Sequence, residues 1–307
     1  MRLSVMPSAH DLSIRQLQYA VAVADTLGFR KAAERCHVSQ PTLSAQIREL
    51  EDVLGVQLFE RDKRRVTLTR AGEIVVQRAR KVLLGVDDLL NEAKRAGDPF
   101  SGTLRIGVIP TVAPYLLPEV TPAVSSKYPK LRLVFREEKT ADIVRELDEG
   151  LLDAGLLALE ADIGDYASAP ILKDPFVVAL PKGHSLAKKK KLAIDDLDDV
   201  PVLLLDDGHC FREQALAACE RGGAREAAFR ATSLATLAQM VSSGAGATLL
   251  PELAVEVENR RGQLDVRPLA SPAPSRTIAL VWRKSSPLGG PLGELAQTMR
   301  AAFRARG

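Results

Sequence analysis

Apolar residues recur at helical spacing through the first quarter of the chain. Leu17, Ala20, Val21, Val23 and Ala24 predict a helix over 12–26, and Leu27-Gly28-Phe29 interrupts it. A second short helix is predicted over 30–36, with Ala32, Ala33 and Cys36 packed on one face. His37-Val38 makes a turn. Ser39 suits an N-cap, and Pro41 falls in the first helical turn, where its missing N–H costs little. The helix then runs over 42–54 and buries Leu43, Ile47, Leu50 and Leu54. Residues 58–61, a charged turn at 62–65 and the β-branched run 66–69 predict a small hairpin. Residues 71–95 lack proline and carry Ile74, Val75, Ala79, Val82, Leu83, Val86, Leu89 and Leu90, a long amphipathic helix. A small N-terminal domain offers that stripe no partner, so it is expected to pair with a second copy.

From Thr103 the pattern changes to strands alternating with helices. Strands are expected at 104–109, 131–135, 153–159, 176–180, 202–205, 248–250 and 277–282, after a linker at 97–102. Helices are expected within 110–128 and over 141–149. The alternation predicts an α/β fold with largely parallel sheets, the strand at 277–282 returning late to the first of them.

Two short helices joined by a tight turn describe either a helix-turn-helix or an ordinary helical hairpin. On the first reading Ser39, Gln40, Pro41, Thr42 and Ser44 open the recognition helix, with Gln40 and Thr42 placed to read bases and Arg48 to lie near phosphates. The hairpin would then be a wing, with Arg61, Lys63 and Arg64 resting on phosphates.

A different chemistry is indicated at Gly208-His209-Cys210-Phe211-Arg212. An apolar strand end, turn residues and a helix expected from Phe211 put Cys210 at a helix N-terminus. The positive end of a helix favours thiolate there, and His209 and Arg212 are expected to add to it. Cys219 follows nine positions on. One helix would hold the two about 13 Å apart on opposite faces, whereas a disulfide needs Cα atoms within about 7 Å. Such a pair suits a switch, or is simply two small buried residues. Thr111 and Thr140 follow strand ends, where open α/β sheets bind ligands and where helix caps are also common.

Composition narrows these choices. The 307 residues allow two or three domains. The net charge of +3 means that any nucleic-acid site is a local basic surface. Three cysteines make no disulfide framework, and four scattered histidines predict no metal site. No apolar run reaches membrane-span length, and residues 1–10 lack a signal-peptide core and read as a disordered tail, with Met6 an alternative start. A reducing cytoplasm is implied, where a disulfide is transient or redox-sensing.

Ala32-Ala33-Glu34-Arg35-Cys36-His37-Val38-Ser39-Gln40-Pro41-Thr42-Leu43-Ser44 closely resembles the helix-turn-helix of LysR-type transcription regulators, and Leu58-Phe59-Glu60-Arg61 follows the same family pattern. The run from Asp207 to Cys219, the segment Gly107-Val108-Ile109-Pro110-Thr111, Phe229-Arg230-Ala231-Thr232 and Arg276-Thr277-Ile278 resemble the hydrogen-peroxide-sensing members of that family. The resemblance covers the chain from about Arg15 to Arg300. It implies a winged helix-turn-helix over 12–70, a linker and dimerisation helix over 71–96, and an α/β regulatory domain over 102–307. That domain would consist of two Rossmann-like lobes like those of periplasmic binding proteins. Lobe I would take about 102–173 and 276–307, lobe II about 174–275. It also implies Cys210 and Cys219 as a redox pair, with Thr111, Thr140, Gly208, His209 and Arg276 serving peroxide binding or activation. The implied partners are promoter DNA, further copies of the chain up to a tetramer, hydrogen peroxide and RNA polymerase, with no cofactor, no membrane and no enzymatic turnover. A LysR-type regulator of a small organic effector with idle cysteines, or a thiol peroxidase, are the competing readings.

Overall fold

The computed structural model describes residues 12–61, 66–221 and 225–305, less the side chains of residues 61, 94 and 218–221. It divides into two compact units, with the boundary between Ala93 and Lys94.

The first unit opens with α1 (Ile14–Thr26). Ser13 starts it with a reciprocal cap: its hydroxyl accepts from the Gln16 N–H at 3.1 Å, and the Gln16 side chain accepts from the Ser13 N–H at 2.9 Å. Leu27 leaves the helix in the left-handed region, and Gly28 precedes α2 (Phe29–Arg35). Ser39 caps α3 (Gln40–Leu54) through the Thr42 N–H. Leu43, Ile47 and Leu50 are fully buried against Ala20, Val23 and Ala32; Leu54 is only half-buried, because the helix ends beside it at Gly55. β1 (Phe59–Arg61) pairs antiparallel with β2 (Val66–Leu68). α4 (Arg70–Arg95) then leaves the hairpin. A Cβ at Gly72 would lie 2.0 Å from the Leu58 carbonyl oxygen, so glycine lets α4 start hard against the hairpin.

The second unit begins with β3 (Gly102–Val108), α5 (Ala113–Lys127), β4 (Leu131–Glu137), α6 (Thr140–Asp148) and β5 (Ala154–Ala158). The 15-residue β6 (Ala167–Pro181) follows. Then come β7 (Pro201–Leu205), α7 (Cys210–Arg221), β8 (Arg225–Ala231), α8 (Leu234–Ser242), β9 (Thr248–Pro251), α9 (Glu252–Glu258) and β10 (Leu264–Pro268). β11 (Ser275–Trp282) and α10 (Gly289–Arg304) close the chain.

The sheets are mixed rather than largely parallel. β3 runs parallel to β4 and β5, and β7 parallel to β8. β11 runs antiparallel between β5 and β6, and β9 and β10 lie antiparallel to β6. The late return of β11 causes this, since it enters the first sheet from the opposite end. β6 crosses between two hydrophobic cores. Its first half pairs with β11 beside the core of the first lobe, and Phe176 to Leu180 belong to the core of the second. The first half of β6, β8 and β10 were not expected as strands. Pro170, Asp174 and Pro175 disguise the first, the mostly exposed residues of β8 hide the second, and the short, charge-interrupted run Leu264–Pro268 hides the third.

Candidate functional site

Three strands end at one point between the lobes. β3 runs out into Ile109, Pro110 and Thr111; β4 leads to Lys139 and Thr140; β7 leads through the turn to Gly208, His209 and Cys210. These residues enclose a recess at the carboxyl ends of the strands, the usual ligand position in an open α/β sheet. The recess is narrow: it has no room for a water-sized sphere.

Cys210 is the first residue of α7, one position earlier than its apolar pattern suggested, and is 8% exposed. It therefore sits at the positive end of the helix. Its side chain packs with the core of the first lobe, whereas Phe211 next to it packs in the core of the second. The start of α7 is thus anchored in both lobes by consecutive residues.

Thr111 and Thr140 are not helix caps. Val112 and Lys139 occupy the N-cap positions of α5 and α6, and neither helix has a side-chain cap hydrogen bond. The Thr111 hydroxyl accepts from Arg276 Nη1 at 2.7 Å, and its carbonyl accepts from Nη2 at 3.0 Å. Its own O–H proton remains to be donated. The Thr140 hydroxyl is buried with no hydrogen-bond partner, a cost of about 1–3 kcal/mol unless a ligand satisfies it.

Arg276 lies behind Thr111 rather than in the recess. It is fully buried, donates from Nε to Asp174 Oδ2 at 2.9 Å and lies over the Phe211 ring, 5.2 Å from its centroid. Asp174 also accepts from the Leu253 N–H. Burial pushes the Asp174 carboxyl up, against the pull of Arg276 and the backbone N–H groups.

His209 and Arg212 do not supply the positive charge expected of them. Burial, helped by the Lys139 ammonium and opposed by Asp206, pushes the His209 imidazolium below its usual range. His209 is therefore neutral at pH 7, with one donor and one acceptor nitrogen. Arg212 is ion-paired with Asp207 at 2.9 Å and Glu226 at 3.0 Å and donates to the Leu205 carbonyl. It straps the start of α7 to β7 and β8. Among the described residues, the cation lining the recess is Lys139, which no local sequence pattern singles out. Its Nζ donates to the Asp207 carbonyl at 2.7 Å. Gly208 has φ +85°, a conformation that favours glycine, and a Cβ there would press on the Lys139 side chain, 3.2 Å from its Cδ and Nζ.

Cys219 lies on the same helix, nine residues beyond Cys210, or about 13.5 Å along the axis. Its side chain lies outside the described residues.

On the first unit, Ser39, Gln40, Pro41 and Thr42 are exposed at the start of α3, Ser44 is half-buried one turn on, and Arg48 is exposed. The Ser39 and Thr42 hydroxyls are 2.7 Å apart, which fixes the cap. Arg61 belongs to β1, but its side chain, like Lys63 and Arg64, lies outside the described residues. Ile74, Val82, Leu89 and Leu90 on α4 are exposed. No helix among the described residues is long and apolar enough to cross a membrane.

Comparison with known proteins places both units. Residues 14–73 match the bacterial regulatory helix-turn-helix of the lysR family, and residues 97–304 match the LysR substrate binding domain. The hydrogen peroxide-inducible genes activator of Pectobacterium carotovorum is 46% identical over 94% of this chain and 96% of its own. A full-length OxyR from Pseudomonas aeruginosa, a cysteine-to-aspartate variant, matches with a TM-score of 0.70 and 37% identity over 94% and 95% of the two chains. A cysteine-to-serine variant of Corynebacterium glutamicum OxyR with bound H2O2 matches with a TM-score of 0.67 and 34% identity over 95% and 93%.

Proposed function

The chain belongs to the LysR family of DNA-binding bacterial regulators, in the group its relatives name OxyR, and on that premise we propose that hydrogen peroxide is its signal and Cys210 its sensor. The observation that carries this reading is the narrow recess that Cys210, at the α7 N-terminus, lines together with two threonines, one of whose hydroxyls is buried without a partner. The lining offers a two-oxygen effector hydrogen-bonding partners on both oxygens, from Thr111, Thr140 and His209.

Peroxide enters when the side chains part. Thr111 donates a hydrogen bond, Thr140 satisfies its orphan hydroxyl on the second oxygen, and neutral His209 accepts or donates as the O–O bond polarises. The Gly208 turn lines the recess beside Lys139, and Arg276 positions Thr111 from behind. The Cys210 thiolate attacks one oxygen. An S–O bond forms, the O–O bond breaks, sulfur loses two electrons, and hydroxide leaves to take up a proton. The resulting sulfenic acid condenses with the Cys219 thiol, releasing water and forming a disulfide. The helical spacing keeps the two cysteines apart, so α7 must unwind first.

Unwinding releases Phe211 and Ala215, the two most deeply buried of the described side chains of the helix, ahead of half-buried Leu216. Phe211 carries the Arg276 contact, so the change reaches the junction of the lobes. That junction adjusts how regulatory domains associate in a dimer or tetramer and hence the spacing of paired DNA-binding units. Residues 12–70 read DNA through Ser39, Gln40, Pro41, Thr42 and Ser44, with Arg48, Arg61, Lys63 and Arg64 near phosphates. Residues 71–96 pair copies, and residues 102–307 sense. The DNA-bound assembly engages RNA polymerase, and the dithiol systems of the cytoplasm restore the reduced form.

Mass spectrometry of the peroxide-treated full chain tests the assignment. Wild type should form a Cys210–Cys219 disulfide, Cys219→Ser should trap dimedone at Cys210, and Cys210→Ser should lose the response. Trapping at Cys219, or no such disulfide, refutes it.

A further inference from the structure

Lys139 is placed unlike any other cation around the recess. Arg212 is matched by Asp207 and Glu226, Arg230 by Asp207 and Glu226, and Arg276 by Asp174. Lys139 has no described carboxylate within ion-pair distance. As the N-cap residue of α6 it belongs to the first lobe, yet its side chain crosses to the second and ends on the neutral Asp207 carbonyl. The end of its side chain packs against Gly208, where an added Cβ would lie 3.2 Å from Lys139 Cδ and Nζ. The turn it grips is held from the other side, since Arg212 and Arg230 both bind the Asp207 carboxylate. A fixed turn with a lysine laid across it forms one wall of a recess that excludes even a water-sized sphere.

We infer that Lys139 is a specificity-determining residue, a bar across the recess that admits hydrogen peroxide to Cys210 and excludes bulkier hydroperoxides. The inference rests on the reading of Cys210 as the reacting thiol. Hydrogen peroxide needs only a small displacement of the lysine end. An alkyl hydroperoxide must place its carbon group where the lysine stem lies. Truncating the stem to a methyl group removes four heavy atoms, matching the four carbons of tert-butyl hydroperoxide.

The test is the ratio of second-order rates of Cys210 oxidation by hydrogen peroxide and by tert-butyl hydroperoxide. It uses the full chain in a Cys219→Ser background, with mass-resolved dimedone trapping. Lys139→Ala should shift the ratio at least tenfold towards the alkyl hydroperoxide. Lys139→Met and Lys139→Arg, which keep the stem, should leave it within about twofold of the Lys139 chain. General loosening of the fold would move both rates together and leave the ratio unchanged. An unchanged ratio in Lys139→Ala, or an equal shift in Lys139→Met, overturns the inference while leaving Cys210 as sensor. Failure of Cys210 to react with hydrogen peroxide when Lys139 is intact would instead remove the proposed function itself.

Discussion

The Asp174–Arg276 pair gives a prediction with a calculable size and a defined pH sign. Both side chains are essentially inaccessible, at 1% and 0% exposure, and meet at 2.9 Å. Arg276→Leu leaves the Asp174 carboxylate buried with its backbone partners only. Breaking a buried pair in this way costs about 3–5 kcal/mol. For a unit of this size each kcal/mol moves Tm by about 2–4 °C, so the loss is roughly 6–20 °C at neutral pH.

Burial already pushes the Asp174 carboxyl upward, and Arg276 restrains it. Without Arg276 it rises further. A raised native value means that the folded protein holds a proton the unfolded chain releases. The associated stability is complete below the unfolded carboxyl value, about 3.9, and is lost as pH rises through the native value. The deficit of Arg276→Leu against wild type should therefore be smaller at pH 5 than at pH 8. Asp174→Asn combined with Arg276→Leu buries neither charge and should recover much of the loss. It should not recover peroxide reactivity, because Thr111 still lacks the donor that holds its hydroxyl. Thermal melts of the two single variants and the double variant at both pH values check this, together with Cys210 oxidation rates. A deficit equal at pH 5 and 8, or a double-variant loss equal to the sum of the singles, would refute the reasoning.

Gln214 is one helical turn from Cys210, and both atoms of its amide are buried without a partner. Gln214→Met should raise Tm, by on the order of 1–3 kcal/mol of stability, and slow the step from sulfenic acid to disulfide; a fall in Tm would contradict this. Leu89→Glu, at a site 66% exposed on α4, should give monomers in sedimentation at low micromolar concentration with the DNA-binding unit intact. Leu83 is a poorer probe, because it lines a groove with Tyr19 and Val38 of that unit. Arg48→Ala should weaken binding to matched and scrambled DNA alike and reduce the salt slope by about 0.9, as read from titrations at several salt concentrations.

The helix-turn-helix was legible because capping and burial are local. Ser39, Pro41 and the Leu43, Ile47, Leu50 spacing determine α3 with no help from distant residues. Cys210 was legible for the same reason, since a strand end, a turn and a helix start are adjacent in sequence. Lys139 was not. Nothing near it marks a lysine that will reach the Asp207 carbonyl 68 residues away, and its significance depends on a crossing between lobes. The neutrality of His209 was equally hidden, because it follows from burial and from that same lysine. β6 was half missed because Pro170 and Pro175 look like breaks, yet both sit opposite β11 in register.

The placement of α7 also sets the energy of the switch. The helix is secured by Phe211 and Ala215 and by the Arg212 strap, and the disulfide proposed above requires that they let go. Whatever free energy these contacts contribute is therefore subtracted from disulfide formation, at about 30 mV of reduction potential per 1.4 kcal/mol. Burial of a phenylalanine side chain alone is worth about 1.5–3 kcal/mol, so Phe211 makes the disulfide easier to reduce by roughly 30–60 mV. The unpaired Gln214 amide acts in the opposite direction, weakening the reduced helix and easing closure. On the proposed mechanism, Phe211→Ala should lower the reduction potential of the disulfide and Gln214→Met should raise it; redox titration in glutathione buffers measures both, and shifts of the opposite sign would refute this account.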